Sequence, residues 1–225
     1  IIVFTADGKM IITKVTEKSY IGKNIVHVGV FKKNDTRTVY NLVYRNGNDK
    51  ISYIKRFTVT GIIRDKEYDV VEPHKDSQVL YFSANPNGEA EVISVILRQA
   101  GSVKKLKWDI NFADILIKGR GSRGNIVTKY AIKRIELKEK GVSTLKPRKI
   151  WYDPIVHRLN TEGRGELLGS FKGEDRLLLI SKDAIVKTVI PDLSLHFDPN
   201  LLIIEKWNPE KPISVIHYEG EKERY

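Results

Sequence analysis

The residues of this chain that could do chemistry are mainly lysines and arginines. They number 39 against 28 aspartates and glutamates in 225 residues, which gives a formal net charge of +11. Such a balance is typical of proteins that bind a polyanion, nucleic acid more often than an anionic membrane surface. An ordinary solubility charge is the alternative. Because the cations concentrate between Arg98 and Arg164, whereas acidic residues balance the region from Glu205 onward, we predict a nucleic-acid interface in the central part of the chain.

The other reactive residues form no recognisable catalytic or metal-binding pattern. The absence of cysteine excludes disulfides, thiol nucleophiles and Cys-ligated zinc, and it is compatible with a reducing cytoplasm. The sequence has no P-loop, G-x-S-x-G or H-E-x-x-H motif. Glu162 and Glu166 could serve a glycosidase, but such a pair is expected by chance among 28 carboxylates. The five histidines are far apart: His27, His74, His157, His196 and His217. We predict no catalytic residue and no metal site.

The segment from Gly119 to Gly124 matches G-x-G-x-x-G and follows a predicted strand, 114–118. A dinucleotide site needs the third glycine to open a helix whose N-terminus faces the pyrophosphate. Here strand-forming residues follow Gly124, so the pattern instead predicts a basic hairpin turn. Its glycines would let the backbone approach phosphate while Arg120 and Arg123 supply charge.

Six short turns flanked by strand-forming residues organise the chain. They are Asp7-Gly8 within 1–15, Asn46-Gly47 within 39–57, Asn87-Gly88 within 79–97, Arg123-Gly124 within 115–132, Lys182-Asp183 within 177–190 and Glu219-Gly220 within 213–225. Their second residues, at 8, 47, 88, 124, 183 and 220, lie 36 to 41 residues apart except for one interval of 59. Asn-Gly and Asp-Gly favour type I′ hairpins. Each turn is predicted to join two antiparallel strands of one repeating unit.

Composition supports an all-β fold, because alanine is scarce and β-branched and aromatic residues dominate. We predict a propeller-like repeat of five or six blades. The segment from Lys133 to Lys140 fits a short helix or a strand equally well. The long interval between Gly124 and Asp183 predicts a long loop at the edge of the domain, within 139–163, that carries four cations to DNA: Lys140, Lys146, Arg148 and Lys149.

The ends of the chain indicate a fragment of a longer protein. It begins at Ile1 with neither an initiator methionine nor a basic leader, and it stops within a strand-like segment at Tyr225. No run of apolar residues approaches the 18 or so that a membrane-spanning helix needs.

Several phrases resemble those of a known family. Residues 4–9 and 44–50 look like the blade signatures of the C-terminal domain of bacterial type IIA topoisomerase A subunits. Residues 118–130, 138–145, 163–169 and 205–214 resemble A-subunit sequences of topoisomerase IV or gyrase of the Bacteroidetes type. The resemblance covers essentially the whole chain and is weaker before about Asp109.

The resemblance implies a single β-pinwheel domain over residues 1–225, a propeller-like disc of four-stranded blades whose basic rim binds and bends duplex DNA. It implies no cofactor in this domain and a parent enzyme that passes one duplex through another with ATP and Mg²⁺. The catalytic tyrosine would lie upstream of this chain. Implied partners are duplex DNA, the N-terminal breakage-reunion domain of the parent polypeptide, and the ATPase B subunit in a heterotetramer of two A and two B subunits. The implied location is cytoplasmic and nucleoid-associated.

One departure from the family favours topoisomerase IV over gyrase. Gyrase A subunits carry a Gln-Arg-Arg-Gly-Gly-Lys-Gly box that supports DNA wrapping, and no such string occurs here. Residues 19–24 and 141–149 occupy comparable places only degenerately. A gyrase wrapping domain, a propeller that binds proteins and a carbohydrate-active propeller enzyme remain alternatives.

On these grounds we predict that DNA contacts a set of basic residues spread over the chain. They are Lys23, Lys104, Lys105, Lys107, Arg120, Arg123, Lys129, Lys133, Arg134, Lys140, Lys146, Arg148, Lys149 and Arg164.

Overall fold

The computed structural model describes residues 1–18, 20–99, 101, 103–216 and 218, and these residues form mainly short strands. They fall into two compact units, Ile1–Leu145 and Lys146–Tyr225. Among the described residues, the helical element is a single 3-10 turn at Phe112–Asp114. The predicted all-β class is therefore confirmed. That the whole chain forms one domain stays a prediction.

The first unit contains three sheets. Its strands are β1 (Ile2–Thr5), β2 (Lys9–Ile12), β3 (Ile25–Gly29), β4 (Val39–Arg45), β5 (Ser52–Thr58), β6 (Glu67–Asp69), β7 (Gln78–Asn85), β8 (Val92–Leu97), β9 (Lys107–Asn111), β10 (Ile117–Gly119), β11 (Asn125–Thr128) and β12 (Ile132–Glu139). The first sheet has the order β3-β1-β2-β6, and the second has β10-β5-β4-β7 with β11 also on β5. The third sheet has the order β12-β8-β9.

The second unit contains two smaller sheets. Its strands are β13 (Arg148–Asp153), β14 (Arg158–Asn160), β15 (Glu166–Phe171), β16 (Leu177–Ser181), β17 (Val186–Val189) and β18 (Leu201–Lys206). The fourth sheet has the order β14-β13-β15 and the fifth β17-β16-β18. The described part of the chain thus has five sheets, within the predicted five or six, but they hold three to five strands instead of four each.

Three of the six predicted hairpins are confirmed. The turns at Asp7-Gly8, Asn46-Gly47 and Lys182-Asp183 join the antiparallel pairs β1–β2, β4–β5 and β16–β17. Gly8 shows why the first turn needs glycine: its φ is +81°, and a Cβ there would lie 2.2 Å from a methyl of Val71. In these places the local turn and the strand pairing agree.

The third and fourth hairpin predictions are wrong. Asn87-Gly88 does form a tight turn, in which Gly88 N donates to Asn85 O at 3.0 Å, but the turn leads from β7 in the second sheet to β8 in the third. Arg123-Gly124 separates β10 from β11, and both pair with β5, in parallel and antiparallel fashion respectively. A turn sequence fixes the reversal of the chain, whereas the pairing partner depends on which edges the core leaves open.

The sixth predicted turn, Glu219-Gly220, lies outside the described residues. The stretch that precedes it, residues 213–216, is described and forms no strand.

The predicted long loop within 139–163 is also wrong. Residues 148–160 form the hairpin β13–β14 of the fourth sheet, which places Arg148 and Lys149 in a strand. The alternation of buried Ile150 and Tyr152 with more exposed neighbours drives this strand into the core of the second unit. The segment that fitted either a helix or a strand, 133–140, belongs almost wholly to β12.

The second sheet is the centre of the first unit, because strands β4 and β5 are buried on both faces. One face carries Tyr40, Leu42 and Phe57 into a cluster shared with the first sheet. The other carries Val43 and Ile54 into a cluster shared with the third sheet. A strand buried on both faces has no solvent side on which to place a charge, so any cation there needs internal partners.

Arg56 of β5 is such a cation, with only 1% of its surface exposed. Its Nε donates to Asn41 Oδ1 at 3.1 Å, and its two terminal nitrogens donate to four further acceptors. These are Phe112 O at 3.3 Å, Thr144 Oγ1 at 2.9 Å, Gly88 O at 3.0 Å and Glu89 O at 3.2 Å. A guanidinium has five N–H groups, so its donors are fully used.

A buried carboxylate completes this network. Glu91 lies immediately before β8 and is 7% exposed. Its Oε2 accepts from Asn41 Nδ2 at 3.2 Å and from the Tyr81 hydroxyl at 3.0 Å, and also from the Ser83 hydroxyl. Burial lowers the pKa of Arg56, and the nearby Glu91 carboxylate opposes that shift. The network joins β4, β5 and β7 to the start of β8.

Replacement of Arg56 tests how strongly this network stabilises the fold. The Arg56→Met variant keeps the aliphatic volume but leaves several buried carbonyls and Glu91 without their donor or counter-charge. Breaking a buried charged network in this way costs about 3–5 kcal/mol of the free energy of unfolding. Urea unfolding, followed by tryptophan fluorescence, measures it.

The matched control is Arg134→Met, which removes an exposed arginine whose ion pair with Glu136 is open to solvent. It should change the free energy of unfolding little. Equal stability of the two variants would show that the buried network does not hold the first unit together.

Candidate nucleic-acid interface

Six of the predicted DNA-contacting residues gather at one end of the third sheet, together with a cation that was not predicted, Arg98. We name this set the basic strand-end cluster: Arg98, Lys104, Lys105, Lys107, Lys129, Lys133 and Arg134. All seven are exposed. They come from three segments of the chain: the end of β8, the loop into β9, and the β11–β12 connection with the start of β12.

Strand pairing brings these segments together around the end of β8. On one side Leu97 N donates to Leu106 O at 2.9 Å, and on the other Arg98 N donates to Ala131 O at 2.9 Å. Ile96 pairs with Lys107 on β9 and with Arg134 on β12. Since neighbouring strands are about 4.8 Å apart, the backbones of Lys107 and Arg134 lie roughly 10 Å from one another.

Further along the same sheet the charges cancel. Lys138 Nζ lies 2.7 Å from Asp109 Oδ2, and Ser94 Oγ donates to Asp109 Oδ1 at 2.6 Å. The hydrogen bonds from Lys138 and Ser94 hold the pKa of the Asp109 carboxyl below its usual range. At the border of the cluster, Arg134 Nε lies 2.6 Å from Glu136 Oε1, so Arg134 is partly balanced by an exposed carboxylate. Exposed pairs of this kind contribute little stability, but they confine the excess positive charge to the end of the sheet.

The Gly-rich turn after β10 uses its first arginine within the protein. Arg120 Nη1 donates to Thr60 O at 2.9 Å and to Gly61 O at 3.3 Å. Its guanidinium also lies over the Tyr68 ring, 4.4 Å from the centroid. These contacts fix Arg120 against the segment that follows β5.

The second arginine of the turn is paired with carboxylates. Arg123 Nη2 lies 2.6 Å from Asp49 Oδ2 and 3.2 Å from Glu72 Oε2, and its guanidinium lies over the Tyr53 ring. Gly124, with φ at +93°, packs so closely that a Cβ there would lie 2.4 Å from Ile54 O. The glycine therefore allows close approach to β5, whereas the sequence predicted close approach to phosphate.

A buried lysine of β5 is hydrogen-bonded to the backbone of the same Gly-rich turn. Lys55 is 2% exposed, and its Nζ donates to Arg120 O at 2.6 Å and to Ser122 O at 2.8 Å. Burial lowers the pKa of Lys55 to about 8. Backbone carbonyls accept from this ammonium in place of a carboxylate, so the turn is tied to the second sheet by a cation.

Four predicted residues belong to the second unit. Lys146 begins it, Arg148 and Lys149 are the first two residues of β13, and Arg164 lies in the loop before β15. Arg164 Nη2 pairs with Glu162 Oε2 at 3.1 Å, and both side chains are largely exposed. Lys146 and Lys149 are exposed, and Arg148 is half-buried. They form a basic group at the start of the fourth sheet.

Two predicted residues lie apart from these groups. Lys23 is exposed in the loop between β2 and β3, in the first sheet. Lys140 follows β12, at the end of that strand away from the basic strand-end cluster. The structure does not bring either into the cluster.

Three cations that sequence reasoning missed have definite places in the fold. Arg98 directly follows the apolar run of β8, and that position at a strand end is a usable signal. Lys55 and Arg56 stand in the middle of an apolar strand-forming segment, where a cation must be either edge-exposed or internally paired. Which of the two holds depends on tertiary contacts.

Three further observations concern metal binding, histidine contacts and membrane crossing. Within the described ranges, no group of three or more His, Asp and Glu side chains is arranged to hold a metal ion. His157 and His196, distant in sequence, have ring centroids 6.0 Å apart, and the Tyr152 hydroxyl lies 3.0 Å from His157 Nδ1. Among the same described residues, no helix has the length and apolarity that a membrane crossing requires.

The lowered pKa of Lys55 has a measurable consequence for stability. Between about pH 8 and pH 10.5 the folded lysine is neutral while the unfolded one is still protonated, so the unfolded state binds more protons. The free energy of unfolding should therefore rise with pH across this window, by about 3 kcal/mol for the full shift. Lys55→Met removes the effect.

The quantity to measure is the difference between the unfolding free energies of wild type and Lys55→Met from pH 7 to 10.5. Tyrosine ionisation cancels in this difference, because both proteins keep buried Tyr40, whose pKa burial raises to about 12. Lys75→Met, at an exposed site, is the control and should leave the pH profile unchanged. A difference that does not vary with pH would refute the proposed state of Lys55.

Comparison with known proteins shows which family the chain belongs to. The family model of the topoisomerase C-terminal domain of Bacteroidota matches residues 1–140 and 158–225. The A subunit of DNA topoisomerase 4 from Borreliella burgdorferi is 26% identical over 133 residues, which are 59% of this chain and 20% of that protein. The match thus spans about a fifth of the length of that relative.

A solved structure, the crystal structure of the C-terminal domain of DNA topoisomerase IV, aligns with 91% of this chain and 78% of its own, at 11% identity and a TM-score of 0.38. The family match extends over most of the chain, and it confirms the resemblance that the sequence phrases indicated. This chain belongs to the topoisomerase C-terminal domain family of the Bacteroidota.

Proposed function

We propose that this chain binds and bends duplex DNA and so positions the transported segment for an ATP-dependent type IIA topoisomerase of the topoisomerase IV kind. The observation that carries the proposal is the basic strand-end cluster, where seven exposed cations from three chain segments meet at one end of a sheet. Membership in the topoisomerase C-terminal domain family supports it.

The cluster suits DNA phosphates better than it suits bases. Lysine and arginine side chains on phosphates release condensed counterions, which gives affinity that depends strongly on salt but reads no sequence. If each of the seven cations contacts one phosphate, log K should fall against log salt with a slope of about −6. Sequence preference should follow the ease of bending.

Bending follows from the way the cations are held. Several of them stand at or beside strand ends that backbone hydrogen bonds fix in place, such as that between Arg98 N and Ala131 O. DNA must then adapt to the protein. Bending 20–30 base pairs costs on the order of 1–6 kcal/mol, which the additional phosphate contacts offset.

The cations of the second unit are proposed as a separate contact with DNA. Lys146, Arg148 and Lys149 follow one another closely at the start of the fourth sheet, and we propose that they bind DNA phosphates as a second group. By contrast, Arg120 and Arg123 are engaged with internal carbonyls and carboxylates, so we assign them mainly to holding the Gly-rich turn.

The whole enzyme lies largely outside this chain. In the proposal the chain has no catalytic residue, and the cleaving tyrosine, the ATP site and the Mg²⁺ belong to the rest of a heterotetramer of A and B subunits. The match to the Borreliella burgdorferi relative covers only a fifth of that protein, which agrees with such a division of labour.

Charge removal at the cluster tests the DNA path. In Lys104→Ala/Lys105→Ala/Lys107→Ala, three phosphate contacts are lost, so the salt slope should flatten by about three units and affinity at low salt should fall. Titration of labelled duplex by anisotropy or mobility shift, at several salt concentrations, gives both numbers.

Two matched triple variants serve as comparisons. Lys14→Ala/Lys32→Ala/Lys33→Ala removes the same charge from exposed sites next to the first sheet and should leave the slope nearly unchanged. Lys146→Ala/Arg148→Ala/Lys149→Ala should flatten it as the cluster variant does. If the first-sheet variant behaves like the cluster variant, binding reflects net charge alone and the proposed path is wrong.

Activity tests separate a positioning module from an enzyme. The isolated chain should shift duplex DNA in a gel but leave plasmid topology unchanged, with or without ATP. In the complete heterotetramer the cluster variant should lose more activity on some substrates, such as catenated or crossed duplexes, than on others. Equal loss on every substrate would indicate a purely structural role.

The complete enzyme also decides between topoisomerase IV and gyrase. Without the gyrase box, simple bending is favoured over chiral wrapping, so we expect relaxation and decatenation of plasmid DNA. ATP-dependent negative supercoiling of relaxed plasmid would overturn the topoisomerase IV assignment in favour of gyrase.

A further inference from the structure

An exposed aromatic ring stands in the middle of the basic strand-end cluster. Tyr130 lies in the bend between β11 and β12, flanked by Lys129 and Lys133, and 47% of it is exposed. Exposed tyrosines are common on protein surfaces, so exposure alone says little. The surroundings of this one are more informative.

The bend that carries Tyr130 is held firmly on both sides. On one side Tyr130 N donates to Oγ1 of Thr128, which is 8% exposed and pairs with Ser52 on β5. On the other, Ala131 O accepts from Arg98 N. The backbone is thus fixed within one residue of the ring, and little conformational freedom remains to be lost on binding.

Among the described residues, the Tyr130 side chain has no specific partner. Neighbouring Val127 and Ile132 are partly buried and pack against the buried cluster of the third sheet, whereas Tyr130 is 47% exposed. Its ring has no aromatic or cation contact and its hydroxyl has no hydrogen bond among the described residues. By contrast, the hydroxyls of Tyr44, Tyr53 and Tyr81 are all bonded.

We infer that Tyr130 stacks on an exposed base of the DNA bound at this cluster. The inference rests on the proposed function and adds a ligand preference: duplex DNA with an interrupted base stack, such as a gap, over intact duplex. Cations around the ring hold the phosphates, and the rigid aromatic face offers a surface that any base can stack on. In intact duplex, a sharp bend would first have to open a base step.

The test compares one duplex with the same duplex carrying a single-nucleotide gap at its centre. Wild type should bind the gapped DNA roughly tenfold more tightly, as expected for one stacked base. Tyr130→Ala should lose roughly five- to tenfold affinity for gapped DNA and less than about twofold for intact DNA. Its salt slope should not change, because no phosphate contact is removed.

Three further variants sharpen the result. Tyr130→Phe should bind like wild type, since the hydroxyl has no partner among the described residues. Tyr130→Lys should bind intact duplex more tightly through its added charge yet lose the preference for the gap. Tyr20→Ala makes the same truncation at a tyrosine that is 81% exposed outside the cluster, and it should retain the preference.

The outcomes separate this inference from the proposed function. If Tyr130→Ala keeps the full gap preference while wild type binds intact duplex with the expected salt dependence, stacking is refuted and DNA binding stands. A flattened salt slope in Tyr130→Ala would also refute stacking, because the loss would then come from a disturbed phosphate contact. If wild type binds neither DNA, both the inference and the proposed function fail.

Discussion

The structure of the first unit depends on a cation placed where water cannot reach it. Arg56 stands on a strand that is buried on both faces, and its guanidinium is surrounded by oxygens from four other segments. An arginine so placed must be hydrogen-bonded completely, since each unpaired donor would cost free energy without return. The segments that supply these oxygens must therefore lie next to β5. This requirement determines how the chain runs between the second and the third sheet.

The turn at Asn87-Gly88 shows the consequence. By sequence it should close a hairpin, and the turn itself forms. Yet the carbonyls of Gly88 and Glu89 accept from Arg56, and Glu91 just beyond binds Asn41 of β4. The chain is thereby held across the end of the second sheet and enters the third sheet instead of pairing with β7. A buried polar network has overridden a local signal, as such networks can.

Prediction from sequence succeeded where a local pattern also decides the tertiary outcome. The recurring turns and the scarcity of alanine gave the all-β class, and Asp7-Gly8 gave the hairpin β1–β2, because both strands also face the same core. It failed for the interval that contains Ile150 and Tyr152, where an unusual spacing was taken for a loop although the residues are those of a buried strand. The spacing of turns carries less physical information than the burial of side chains.

The candidate interface shows the same difference between what a local pattern predicts and what tertiary contacts decide. Counting charge located the basic region, and six of the predicted residues do meet at one end of the third sheet. The fates of Arg120 and Arg123 could not be read from the same signal. A basic Gly-rich turn looks alike whether its arginines face phosphate or, as here, the carbonyls of Thr60 and Gly61 and the carboxylate of Asp49. Only the fold decides between them.

The exposed cations of the basic strand-end cluster can be substituted without affecting the buried cation Arg56. The guanidinium of Arg56, on β5, reaches the segment just before β8 that contains Glu91, and the basic strand-end cluster lies at the other end of β8. Four to six residues of strand separate the two along the sheet, roughly 13–20 Å, which exceeds the Debye length of about 8 Å at physiological ionic strength. Charge changes in the cluster can thus alter DNA affinity while leaving the buried network undisturbed. The third sheet thus fixes the position of the cluster relative to the buried network, while the distance between them keeps the electrostatic interaction weak.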